Sequence, residues 1–351
     1  RIEQARLDEA ERTARDALAV ARRRGDDHPE VAEALATLGA VHYARARYDD
    51  ALAVGREVLA LVRRTAVADT APAVIDALDA LAAAHFQAGR LDSAEALARR
   101  VLALRTTRHG PRHASVADAL VTIGATRFER GDYEGAAALD RQALVIVRDA
   151  FGEGHPRVAA VRTMLGRALV FTGALAEADT LLRAALATRE AIHGPRHPAV
   201  ASTLNELGTI ALREGRTDDA IAWYARLLPI WRDAYGDGHH LVGTALSNLG
   251  SARMAQGRHA EAEAYFREAI SRFVGSQGAS HTNTGIARIK LGRALHRQGR
   301  HAEAIAESRA GHDILVSQSA PGNGFVAAAR SDLAAAFAAL GRADSAARYR
   351  P

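Results

Sequence analysis

The sequence predicts an all-α solenoid of antiparallel helix pairs, and three registers sharing one period predict it. An alanine recurs at positions 10, 51, 94, 136, 178, 220, 262, 304 and 346, with gaps of 41, 43 and then 42 residues throughout. A small residue follows Leu or Ile at Gly39, Ala82, Gly124, Gly166, Gly208, Gly250, Gly292 and Ala334. A second small residue stands seven positions further on, at Ala46, Gly89, Gly131, Gly173, Gly215, Gly257, Gly299 and Gly341. Units repeating at such a spacing stack in one dimension, each burying its apolar face against its neighbours.

The unit from Leu204 to Tyr235 shows the elements in order. Leu204, Leu207 and Ala211 fall on one helical face, with Gly208 beside them. Gly215-Arg216 breaks the pattern as a turn. Ala220, Tyr224, Leu227 and Leu228 then mark a second amphipathic face. Each repeat is therefore two helices joined by a tight turn, with Gly208 and Ala220 placed for close approach. The connectors between units read His109-Gly-Pro-Arg-His113, Phe151-Gly-Glu-Gly-His155-Pro156, His193-Gly-Pro-Arg-His197-Pro198 and Tyr235-Gly-Asp-Gly-His239. The first Gly fits a left-handed residue after a helix end, and Pro156 and Pro198 fit the first turn of the next helix. The loops after Arg64, Phe273 and Val316 depart from this pattern, and looser stacking is expected there. The whole chain, 1–351, reads as one array. Residues 1–24 form a lone second helix, 30–318 seven full repeats, and 325–351 a truncated last repeat.

Composition narrows the function classes. With no cysteine among 351 residues, disulfides, Cys-zinc sites and thiol catalysis are excluded. No apolar stretch approaches the length of a membrane span. The net charge is +5, yet Lys290 is the only lysine among 46 basic residues, and the arginines are interleaved with Asp and Glu. No nucleic-acid partner is expected from so dispersed a charge. The Arg-Ala-Gly bias points to a GC-rich bacterial genome. The chain opens at Arg1 rather than Met, so a piece of a longer polypeptide lacking its native N-terminus is expected, with a cytoplasmic location fitting the absence of cysteine.

The order Leu-Gly, then Gly seven on, then Ala five on resembles the tetratricopeptide repeat (TPR). The 42-residue period with a Gly-x-x-His-Pro connector resembles its kinesin-light-chain subclass, common in bacterial regulatory proteins and in regions appended to Ser/Thr kinases. The resemblance implies a right-handed superhelix whose concave groove is lined by the first helices. This chain departs from the family in its first-helix aromatic, which shifts by one residue at Tyr43, Phe86 and Phe128 or is missing.

No Walker loop, dinucleotide fingerprint, His-Glu-x-x-His or nucleophile elbow is present, so catalytic residues, a metal and a cofactor are not expected. His28, His113, His155, His197, His239 and His281 recur at or near the repeat period. Equivalent atoms of stacked helices lie about 10 Å apart, too far to share a zinc ion, so a capping or packing role is expected. Pairs such as Asp49/Asp50 and Asp218/Asp219 sit where second helices begin and favour the helix dipole. Trp223 and Trp231 flank Pro229, either filling the space left by a kink or forming an aromatic interaction patch.

In the groove that the resemblance implies, Glu33, Asp76, Asp79, Asp118 and Glu129 lie toward the start. A polar belt that includes Asn205 and Asn248 occupies the middle. Arg167, Arg213, Lys290, Arg293 and Arg297 follow. These are the candidate ligand residues, suited to a protein or an extended, acidic peptide. The expected role is a non-catalytic scaffold, the interaction region of a larger bacterial regulator. Self-association end to end into a filament and a sensor region attached to a Ser/Thr kinase are the alternatives.

Overall fold

The computed structural model describes residues 2–45, 47–65, 71–318 and 324–349. Ala46 and most of the irregular loops after Arg64 and Val316 lie outside the described residues, so the expected looser stacking at those two loops does too. Among the described residues there are 17 α-helices and no strand. They are α1 (Ile2–Arg23), α2 (Pro29–Ala44), α3 (Tyr48–Arg64), α4 (Pro72–Gln87), α5 (Leu91–His109), α6 (Ala114–Glu129), α7 (Tyr133–Phe151), α8 (Pro156–Thr172) and α9 (Leu175–His193). They continue with α10 (Pro198–Arg213), α11 (Thr217–Tyr235), α12 (His240–Ala255), α13 (His259–Gln277), α14 (Thr282–Arg297), α15 (His301–Gln318), α16 (Gly324–Ala339) and α17 (Ala343–Ala347).

The chain divides into two compact units, residues 1–181 and 182–351. In the first, α2 packs on α3, α4 on α5 and α6 on α7, and first helices also touch the next first helix (α2 with α4, α6 with α8). Val31, Leu35, Val58, Leu61, Val74, Leu78 and Val101 form one of its apolar clusters. In the second, α10 packs on α11, α12 on α13, α14 on α15 and α16 on α17, with α10, α12, α14 and α16 successively in contact. Phe266, Leu291, Leu295, Leu333 and Phe337 form one of its cores.

The repeating residues explain this packing. Every alanine of the first register from Ala51 to Ala346 is at most 2% exposed, so the register marks the line where helices touch. The small residue of the second register faces the second helix of its own pair. A methyl built on Gly208 would lie 2.5 Å from the Tyr224 ring, and one on Gly250 would lie 2.7 Å from Phe266. Glycine there admits a ring that is itself only 1% exposed. The turn glycine seven on has φ +76° at Gly215, backbone that other residues rarely adopt.

The connectors correct one expectation. The helix-ending glycines have positive φ, 83° at Gly110 and 77° at Gly152, but their ψ values are 163° and 164°. This is extended backbone of the mirror-image region rather than the left-handed helix. It is even more restricted to glycine, because any Cβ would collide with the backbone there.

Each connector histidine is the N-cap of the following helix. The ring Nδ1 accepts the backbone N–H two residues on, at 3.3 Å for His28, 3.2 Å for His113 and His155, 3.1 Å for His197, 3.3 Å for His239 and 3.1 Å for His281. In four of the connectors the ring also stacks on the last residue of the preceding helix. Centroids are 4.5 Å apart for His109/His113, 4.4 Å for Phe151/His155 and His193/His197, and 4.8 Å for Tyr235/His239. One side chain thus satisfies an orphan helix donor and closes the connector. Among the described residues, no group of three or more His, Asp or Glu is placed to hold a metal ion.

Candidate functional site

In the unit of residues 182–351, the first helices α10, α12 and α14 carry a ladder of side-chain hydrogen bonds. Asn248 Nδ2 donates to Asn205 Oδ1 at 2.9 Å, and Lys290 Nζ donates to Ser247 Oγ at 3.1 Å. Both links join residues 43 positions apart, so each helix reaches back one repeat with a residue one step further along. Beside them, the Thr209 hydroxyl lies 3.3 Å from the Tyr224 hydroxyl. The amides are therefore held in place by neighbouring repeats, and both are only partly exposed.

Lys290 differs from the arginines around it. Its one hydrogen bond is to a neutral hydroxyl, and among the described residues no carboxylate pairs with it. Burial lowers its pKa to about 8, with the Arg293 charge adding to the effect. Arg293 bridges to α16, holding Asp332 through Nε at 3.2 Å and Nη2 at 2.8 Å. Arg297 is exposed one further turn along α14, and Arg213 is exposed in the last turn of α10.

Arg167 lies in the other unit. Its guanidinium stacks over the Phe128 ring at 4.1 Å and pairs with Glu129 at 3.6 Å. Phe128, Tyr133 and Phe171 form an aromatic cluster there, with Tyr133 and Phe171 stacked at 4.5 Å. The sequence reading passed over this cluster. The acidic residues of this unit are also committed: Asp79 is bound by Arg105 and Asp118 by Arg157. Glu129 holds Arg167, so most of the acidity expected toward the start is neutralised from within.

The two tryptophans part company. Trp231 is 3% exposed and, among the described residues, its indole N–H has no partner, so it belongs to the core rather than to any surface patch. Trp223 reaches the surface and, with Arg183, Asp219, Ala222 and Arg226, lines a depression of about 340 Å³. Arg183 lies 5.9 Å over its ring, and Arg226 is ion-paired to Glu190. The α11 helix runs unbroken through Pro229.

One buried polar residue escaped the sequence reading. Asp140 of α7 is 3% exposed, and its Oδ1 has no hydrogen-bond partner among the described residues. It faces Gly124, so it occupies the place that Tyr224 and Phe266 fill later in the chain. Burial alone raises its pKa to about 7. The repeat period supplied the signal, because Ala98, Asp140, Leu182, Tyr224, Phe266 and Ser308 share one register position.

The tetratricopeptide-repeat profile matches residues 1–64, 73–149, 115–191, 171–233, 199–273 and 241–315. The chain belongs to the tetratricopeptide-repeat family. Among curated proteins, none matches the sequence. The fold is similar to that of BtubC (BKLC) from P. vanneervenii, at 17% identity and a TM-score of 0.51, covering 66% of this chain and 91% of that one. It is also similar to a Rap protein complexed with competence and sporulation factor, at 12% identity and a TM-score of 0.64, covering 91% and 95%. The apo form of RapI matches at 10% identity and a TM-score of 0.58, with the same coverage. A repeat scaffold of this family is suited to protein or peptide partners, and among the described residues no helix is long and apolar enough to cross a membrane.

Proposed function

We propose that the chain is a non-catalytic scaffold, the interaction region of a larger bacterial regulator, and that residues 182–351 bind an extended, acidic peptide segment across α10, α12 and α14. The observation that carries this reading is the ladder itself: two amides fixed by each other and one cation without a carboxylate. Asn205 Nδ2 also donates to Glu206 Oε1 at 3.3 Å; the remaining amide groups suit the backbone of an extended segment, and Lys290 and Arg297 suit its carboxylates. The Rap structure, of similar fold, was determined in complex with competence and sporulation factor, which supports a regulatory ligand. Exposed charge pairs are worth roughly 0–1 kcal/mol each. Binding is therefore modest, salt-sensitive and dependent on several contacts.

The test is a peptide library screened against the wild type, a Lys290→Met variant and an Arg213→Ala/Arg293→Ala variant. The expected result is an acidic preference in the wild type that Lys290→Met weakens about tenfold, one lost charge-assisted bond of roughly 1.5 kcal/mol. The double variant weakens it less, because Arg293 is already held by Asp332. No acidic preference in the wild type, or full retention in Lys290→Met, refutes the reading.

A further inference from the structure

Lys290 is the only lysine in the chain, and its surroundings set it apart as an amine. It is partly buried on α14, bonded to the Ser247 hydroxyl of α12, which is itself 5% exposed. The nearest charge on its own helix is Arg293, whose partner Asp332 reaches it from α16. Arg288, on another face of α14, is taken up by Glu307 of α15 at 2.7 Å. Among the described residues no carboxylate pairs with Lys290 to hold it in its ammonium form, and burial in the company of a second cation disfavours that form. The single hydrogen bond to Ser247 occupies one N–H and leaves the nitrogen lone pair of the neutral amine unengaged.

We propose that Lys290 is a site of covalent acylation by small anionic acyl donors of the acyl phosphate class. The Lys290 nitrogen attacks the acyl carbonyl carbon. The new N–C bond forms as the C–O bond to phosphate breaks, phosphate departs with the electron pair, and the amine releases one proton to water. The product is a neutral amide. Lys290, Arg293 and Arg297 stand on α14, and among the described residues Asp332 is the one carboxylate paired with any of them, so the residual positive charge favours an anionic donor over a neutral one. Acylation removes the Lys290 cation from the face formed by α10, α12 and α14. That consequence rests on the peptide-binding reading, whereas the reactivity of the amine does not.

The experiment uses acetyl phosphate at pH 8 on the folded chain and on the same chain in denaturant, with peptide mass mapping. The α-amino group of the first residue serves as internal reference, and every ε-amine adduct is at Lys290 because no other lysine exists. An ordinary lysine with a pKa of about 10.4 is almost wholly charged at pH 8, so the Lys290-to-α-amine labelling ratio should be at least about tenfold higher in the folded chain. A ratio equal to or below that of the denatured chain overturns the proposal. Arg297→Gln should slow labelling by acetyl phosphate several-fold and leave labelling by a neutral acetyl ester unchanged. Equal effects on both donors overturn the assignment of an anionic donor class.

Discussion

Asp140→Asn should change how the stability of the first unit depends on pH. The carboxyl group is 3% exposed, one oxygen is unpartnered, and no charged neighbour contributes to its shift. Its pKa rises from an ordinary 3.8 to about 7, and at 1.36 kcal/mol per pH step this difference corresponds to about 4 kcal/mol. The sign follows from the direction. The folded pKa lies above the unfolded one, so the stability contribution is complete below about pH 4, falls as pH rises, and is fully lost above about pH 7. Asparagine keeps the shape and cannot ionise, but its buried amide costs roughly 1–3 kcal/mol if left unpaired. The variant should therefore match or trail the wild type at pH 4.5 and exceed it by about 1–3 kcal/mol at pH 8. Urea unfolding of both proteins across this range, read as a difference curve, removes the contribution of all other titrating groups. Local amide exchange in α6 and α7 reports the same effect where the repeats unfold piecemeal. Parallel curves for the two proteins would show that Asp140 is solvated or paired, and would refute the reasoning.

Gly208→Leu should destabilise more than Gly215→Ala: the first drives bulk into Tyr224 at roughly 3 kcal/mol, the second adds positive-φ strain of about 1 kcal/mol with open space around it, and thermal melts of the two decide the order. His197→Ala should cost about 1 kcal/mol through loss of the N-cap, and His197→Asn should restore most of it, as measured by urea unfolding at pH 7.5. Acidification should act on the caps in the opposite sense to Asp140. Burial lowers the His239 pKa below 6.5, so its contribution is present above that value and lost as pH falls through the folded pKa; His239→Asn should flatten the melting temperature between pH 7 and 5.

The fold was legible in the sequence because a solenoid repeats its reasons. The alanine line, the small residue opposite a second-helix side chain and the glycine at each turn are local demands met every 42 residues, and the structure places each where the period puts it. The connector histidines were legible as loop elements, although their bonding to the backbone two residues on required coordinates. The ladder was half legible: Asn205 and Asn248 stand 43 positions apart, one more than the repeat period, so the period brings them near one another on neighbouring first helices, but which atoms meet depends on the offset between stacked helices. Charge was the least legible property. Arg293 reads as a ligand residue in sequence and is spent on Asp332, 39 positions away, while among the described residues Lys290 meets a neutral hydroxyl and no carboxylate. Trp223 and Trp231 share a helix, yet one lies at the surface and the other in the core, because two turns of separation combine with a rotation that only packing fixes. Periodicity determines which residues face inward and how helices pair. Which charges cancel, and which are left to meet a partner, is decided by side chains that reach across repeats, and that choice is tertiary.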